Sequence, residues 1–119
     1  MSSITFIDSM KAWENAMHDG DSFELEKILS DDFVWENIAM DSSSSKAETI
    51  QFATGINKEA TSFQIGNYKS LYEGDDLLVG THSVQQDGKD ENIVLCIANK
   101  SEDGRKITMW RHLRAELPE

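Results

Sequence analysis

His112 stands two residues after Trp110 in the stretch KITMWRHLRA, residues 106–115 of a 119-residue chain. A spacing of two puts both side chains on one face of a strand, so an indole and an imidazole would look into the same space. Imidazole exchanges a proton near neutral pH, which makes His112 a candidate general acid or base, or a polar anchor for a ligand. No partner for it is visible in the sequence, and the plainer reading is a half-exposed sheet histidine near a rim. His82, in VGTHSV, shares a strand face with Gly80 and Val84. Glycine in mid-strand marks a bend or a close backbone approach. A bend there would curl the sheet and set His82 opposite His112 as a second catalytic candidate; the competing reading leaves His82 facing solvent.

Asn37 is the third polar candidate. It alternates with Phe33 and Trp35 along FVWEN, and a buried amide must find a partner. A ligand carbonyl or hydroxyl would serve, as would water or a neighbouring side chain. Cys96 shares a face with Val94 in the most apolar run of the chain, and nothing basic beside it would lower its pKa. It reads as a small hydrophobe of the pocket region, not as a nucleophile. The acidic pairs at 31–32, 75–76 and 90–91 fall at turns and helix starts, where they cap and solvate. No His, Asp and Glu spacing resembles a metal site, and no cofactor is implied.

These residues need elements to hold them. Phe6, Met10, Trp13 and Met17 recur at helical spacing, and Gly20 supplies a stop. Asp21 with Glu24 resembles a capping box for a short second helix with Leu25, Ile28 and Leu29 on its apolar face. DDFVWENIAM changes to a period of two and predicts a strand. DSSSS, 41–45, reads as a loop, and Ser45 with Glu48 as a capping box opening a third helix that Gly55 would close. Four strand-like runs follow, joined by the turn sequences GDD, DGKDE and SEDGR. On the last run Thr108, Trp110, His112 and Arg114 share one face, and Ile107, Met109, Arg111 and Leu113 the other. Both faces carry apolar groups, as expected if helices cover one side and a second copy of the chain the other. Met10, Met17, Met40 and Met109 would soften pocket walls or simply fill core.

The order is α, α, β, α, then four strands, which predicts a single α+β domain over 1–119 with helices across a curved antiparallel sheet. Such a sheet encloses a cone whose wide end is a natural small-molecule pocket. The net charge of −11, from 22 acidic and 11 basic side chains, repels nucleic acid and anionic lipid. No run is long and apolar enough to span a bilayer. The N-terminal residues lack a signal-peptide pattern, and the single cysteine fits a reducing compartment, so a cytoplasmic location is expected.

Two stretches resemble the nuclear-transport-factor-2-like superfamily, which includes SnoaL-like polyketide cyclases, ketosteroid isomerases and limonene epoxide hydrolases. WENAMHDGDSFELEKILSDDFVWEN, 13–37, is similar to its opening; EDGRKITMWRHL, 102–113, is similar to its closing hairpin. The resemblance covers essentially the whole chain. It implies a cone-like, cystatin-like α+β barrel, a homodimer and a pocket lined by Trp13, Phe33, Trp35, Asn37, Cys96 and Trp110. It also exposes departures. The isomerase tyrosine position falls on Trp13, its general-base position on Asn37 and its second acid near Cys96. An amide cannot accept a proton at neutral pH, so the isomerase mechanism is not expected. The hydrolase aspartate position falls on His112, but no Asp-Arg-Asp set accompanies it. The expected function is binding of a small, mostly apolar, oxygen-bearing molecule in the cone, with histidine acid–base isomerisation, cyclisation or hydrolysis. The competing reading is a non-catalytic dimerisation or protein-association module.

Overall fold

Thr5 opens the first helix, α1 (Phe6–Asp19): its Oγ1 accepts the Asp8 N–H at 3.1 Å. Gly20, at φ 71°, closes it in the left-handed conformation that glycine adopts without strain. The computed structural model describes residues 4–59, 64–85 and 91–115. The other elements are α2 (Phe23–Ile28), β1 (Leu29–Asn37), β2 (Ser42–Ser45), α3 (Lys46–Glu59), β3 (Gln64–Glu73), β4 (Leu77–Gln85), β5 (Asn92–Lys100) and β6 (Ile107–Ala115). The order expected from the sequence is present, with one strand added.

The six strands form one curved, unclosed sheet in the order β2-β1-β6-β5-β4-β3. Four of its seams are antiparallel. The fifth, β1 against β6, is parallel. Neighbours along the chain need only a short turn to pair antiparallel, whereas β1 reaches β6 after α3 and four intervening strands. The β3–β4 seam slips register twice, and Asn67 sits there at φ 52°. Such bulges bend and twist a strand, which is how a sheet curls over its helices.

Several local expectations are corrected. DSSSS is not a loop: Ser42–Ser45 pairs with β1, so β-pairing outweighs a composition typical of turns. The Asp21–Glu24 capping box does not form. Asp21 Oδ1 instead accepts the Phe23 N–H at 3.0 Å, and the Ser22 hydroxyl bonds Glu26. The Ser45–Glu48 box does form, with both reciprocal bonds in place. Gly55 does not end α3, which continues to Glu59. Ile107 does not lie on the outer face with Met109. The β5–β6 register shifts between Asn99 and Lys100, which inverts the phase at the start of β6 and buries Ile107 completely. The DGKDE turn falls largely outside the described residues.

The core lies between α1 and the concave face. Phe6, Met10, Leu25, Leu78, Val94 and Cys96 are sealed from solvent. Gly80 is the point of closest approach: a Cβ there would lie 2.4 Å from the Phe6 ring. The mid-strand glycine therefore marks a close approach of helix to sheet. The Tyr68 hydroxyl donates to Glu14, which ties α1 to β3.

Candidate functional site

The aromatic residues divide the cone into a closed end and a mouth. Phe6 stacks on Trp110 with ring centroids 6.0 Å apart, and Trp13 tilts against Trp110 at 5.7 Å. These three rings seal the narrow end. Beyond them lies a cavity of about 630 Å³, bounded by α1, α3 and the concave sheet. Its size suits a molecule of two to four fused rings.

Trp13, Trp35, Asn37, Trp110, His82 and His112 all lie on its wall. Phe33 and Cys96 do not. Phe33 is buried in the core at the middle of β1. Cys96 is fully enclosed in the middle of β5, with its sulfur hydrogen-bonded by Trp110. Burial pushes its thiol up to about 12, so it is an inert packing group at neutral pH. Of the methionines, Met10, Met17 and Met40 reach the cavity; Met109 does not.

The register of the sheet places the polar groups. Asn37 pairs with His112 across the parallel seam, and His112 pairs with Cys96 on the other side. His82 pairs with Val94, which pairs with Arg114, so the two histidines sit diagonally across β5. Trp35 tilts against the His112 ring at 5.3 Å and helps to dry it. His82 is buried, 8% exposed, which rules out the solvent-facing alternative. Its Nδ1 lies 3.0 Å from the Ser83 carbonyl. A carbonyl only accepts, so in the neutral ring Nδ1 carries the proton and Nε2 is left as an acceptor. Asn37 Oδ1 accepts the Met40 N–H at 3.2 Å, steadying the turn after β1 and leaving its amide N–H groups as donors.

Both imidazoles are held in the neutral form. Desolvation lowers the His82 pKa, against a smaller opposing effect of the Ser83 bond. His112 is brought down to about 4, by desolvation first and then by the nearby His82 and Arg114. At neutral pH His112 can therefore accept a proton or a hydrogen bond, but it carries no proton to give as an imidazolium. One donor is left over: Trp13 Nε1 is buried and has no hydrogen-bond partner among the described residues.

Sequence reasoning missed part of the wall. Thr49, Phe52 and Ile56 line it from α3, and Arg114 stands at its edge. The helical spacing of the first three was available as a signal. Arg114 lay in plain view on the Trp110–His112 face of β6. Among the described residues no three His, Cys, Asp or Glu groups converge as a metal ion would require, and no helix is long and apolar enough to cross a membrane.

Cone, helices and cavity together define the NTF2-like fold. The chain resembles an NTF2-like protein of unknown function from Burkholderia xenovorans, with a TM-score of 0.71 at 14% identity over 96% of this chain and 85% of that one. It resembles a proposed isomerase of the SnoaL-like family from Agrobacterium tumefaciens, with a TM-score of 0.72 at 7% identity over 93% and 97% of the two chains. It also resembles the BvnE pinacolase of Penicillium brevicompactum, with a TM-score of 0.69 at 11% identity over 92% and 84%. No protein-family model matches the sequence, and no curated protein matches it significantly. The likeness is one of fold.

Proposed function

We propose that the cavity binds a small, mostly apolar, oxygen-bearing molecule. The observation that carries this reading is a largely apolar cavity whose wall sets Asn37, His82 and His112 among the indoles of Trp13, Trp35 and Trp110. The same wall offers the His82 Nε2 acceptor and the Asn37 amide donors, so a hydroxyl or carbonyl is met by the opposite kind of group.

If the bound molecule is converted, His112 is the proton acceptor, in an isomerisation, cyclisation or hydrolysis. A base whose conjugate acid has a pKa of about 4 is weak, so the proton it takes must already be acidified, as beside a carbonyl. Turnover is then expected to rise with pH through about 4 and to stay flat across neutrality. Unchanged turnover in His112→Ala removes His112 from the mechanism.

Binding itself is tested by a thermal-shift screen of steroid-like, terpenoid and polyketide-like compounds. A ligand at a hundred times its Kd adds about 2.7 kcal/mol of stability. No shift from any of the three classes would sink the reading.

The reading as an association module has its own support. Val79, Leu95, Ile97, Met109 and Leu113 form a half-buried apolar band on the outer face of the sheet. We propose that two copies pair through it. Light scattering on the purified chain distinguishes monomer from dimer, and a monomer at high micromolar concentration overturns the pairing.

A further inference from the structure

The chain holds 22 acidic side chains against 11 basic ones, yet among the described residues no carboxylate lines the cavity. Among the described residues the single formal charge on the wall is that of Arg114. Arg111, three residues earlier and on the opposite face, lies 3.7 Å from Glu36. Arg114 has no such carboxylate among the described residues. It stands on the same face as His112 and, across Val94, opposite His82. A cavity that sampled the rest of the surface at random would carry acids. Among the described residues this one holds none and keeps a guanidinium at its edge, which is how a site for an ionised oxygen acid is built.

We propose that the cavity selects an organic anion: an apolar ring system bearing an ionised carboxylate, with the carboxylate held at the mouth between Arg114 and His112. This rests on the ligand-binding reading above and names the class of ligand. The rings lie among Trp13, Trp35 and Trp110. The carboxylate takes the two N–H groups of the Arg114 fork and a hydrogen bond from His112.

That hydrogen bond carries a further consequence. Among the described residues the groups facing His112 are His82 from β4, the protonated Cys96 thiol from β5, Arg114 from β6, and uncharged Trp35 and Asn37 from β1; the described side chains that α1 and α3 present to the cavity are uncharged. Nothing among them favours an imidazolium. A bound carboxylate does, so the anion should bring a proton with it. The net charge of −11 opposes an anion at long range, but at physiological salt that field fades beyond about 8 Å, while the contacts at the mouth are shorter.

The test is titration calorimetry with 2-naphthoate and its uncharged analogue 2-naphthamide, at pH 5.5 and 7.5, in buffers of different ionisation enthalpy. The carboxylate is expected to bind at least tenfold tighter than the amide. Arg114→Gln, at an exposed position where folding is not at stake, should abolish that preference by weakening naphthoate binding about tenfold more than naphthamide binding. At pH 5.5 naphthoate binding should take up close to one proton, and His112→Asn should remove the uptake. Equal binding of the two compounds, or a preference that survives Arg114→Gln, overturns the anion proposal and leaves the ligand-binding reading standing. If neither compound binds at millimolar concentration while other apolar compounds do, the anion proposal alone falls; if nothing binds, both fall.

Discussion

The two ends of the cone are built on different rules. At the closed end Phe6, Trp13 and Trp110 are 0–4% exposed and interlock with a glycine opposite them. At the mouth Phe52 is 60% exposed and Met40 75%, with Asn37, His112 and Arg114 between them. Packing determines the first region, since no atom there can move without another moving. The second has slack, and its character comes from which groups are charged, neutral or unpaired. A change at Phe6 or Gly80 should therefore be read as stability, and a change at the mouth as binding.

The sharpest way to break this contrast is at the Phe6–Gly80 contact. Phe6→Ala should cost about 3–5 kcal/mol, because it opens a cavity under Trp110. Gly80→Ala should cost about 1–3 kcal/mol, since the added carbon meets the Phe6 ring at 2.4 Å. Denaturant unfolding measures both. A loss below about 0.5 kcal/mol for either would show that the closed end yields as easily as the mouth.

A smaller effect tests the border between the regions. His112 has an ordinary pKa of 6.5 and about 4 in the fold. The unfolded chain thus binds the proton first as pH falls. Stability supplied by keeping His112 neutral is complete above 6.5, declines between 6.5 and 4, and falls no further below. The expected loss is on the order of 1–2 kcal/mol after allowance for the solvent that reaches the ring. It is read as the difference between the wild-type and His112→Asn pH–stability curves, since other carboxyl groups titrate in both. Parallel curves would place His112 in water.

The smallest expected effect on stability is at the mouth. Phe52→Ser should change the unfolding free energy by less than about 0.5 kcal/mol, because the ring is largely exposed already. It should still weaken binding of any cavity ligand several-fold, as measured by calorimetry. Stability lost with affinity intact would reverse the assignment of packing to one end and recognition to the other.

Much of the fold was legible because its signals are local. Helical recurrence of Phe6, Met10, Trp13 and Met17 marked α1, Gly20 ended it, and the Ser45–Glu48 box opened α3. Local signals also misled where a distant partner outweighed them. The four serines of β2 read as loop, yet β1 recruits them as an edge strand. Gly55 is tolerated inside α3, where open space surrounds it. Ile107 was put on the wrong face because strict alternation cannot foresee a bulge opposite Asn99. The cavity was half visible. Trp35, Asn37, Trp110 and His112 follow from alternation along two strands, but Phe33 and Cys96 obey the same alternation and end up sealed in the core. Alternation names a face; depth along the cone decides whether that face is wall or filling.

By itself the sequence determined the order of helices and strands and the aromatic and polar residues available. Those depend on neighbours a few residues apart. The tertiary structure alone decided that β1 and β6 run parallel, so that Asn37 meets His112, and that His82 lies diagonally across β5 from it. It also decided that His112 is neutral, because a pKa depends on which groups displace water from the ring, and those groups come from every part of the chain.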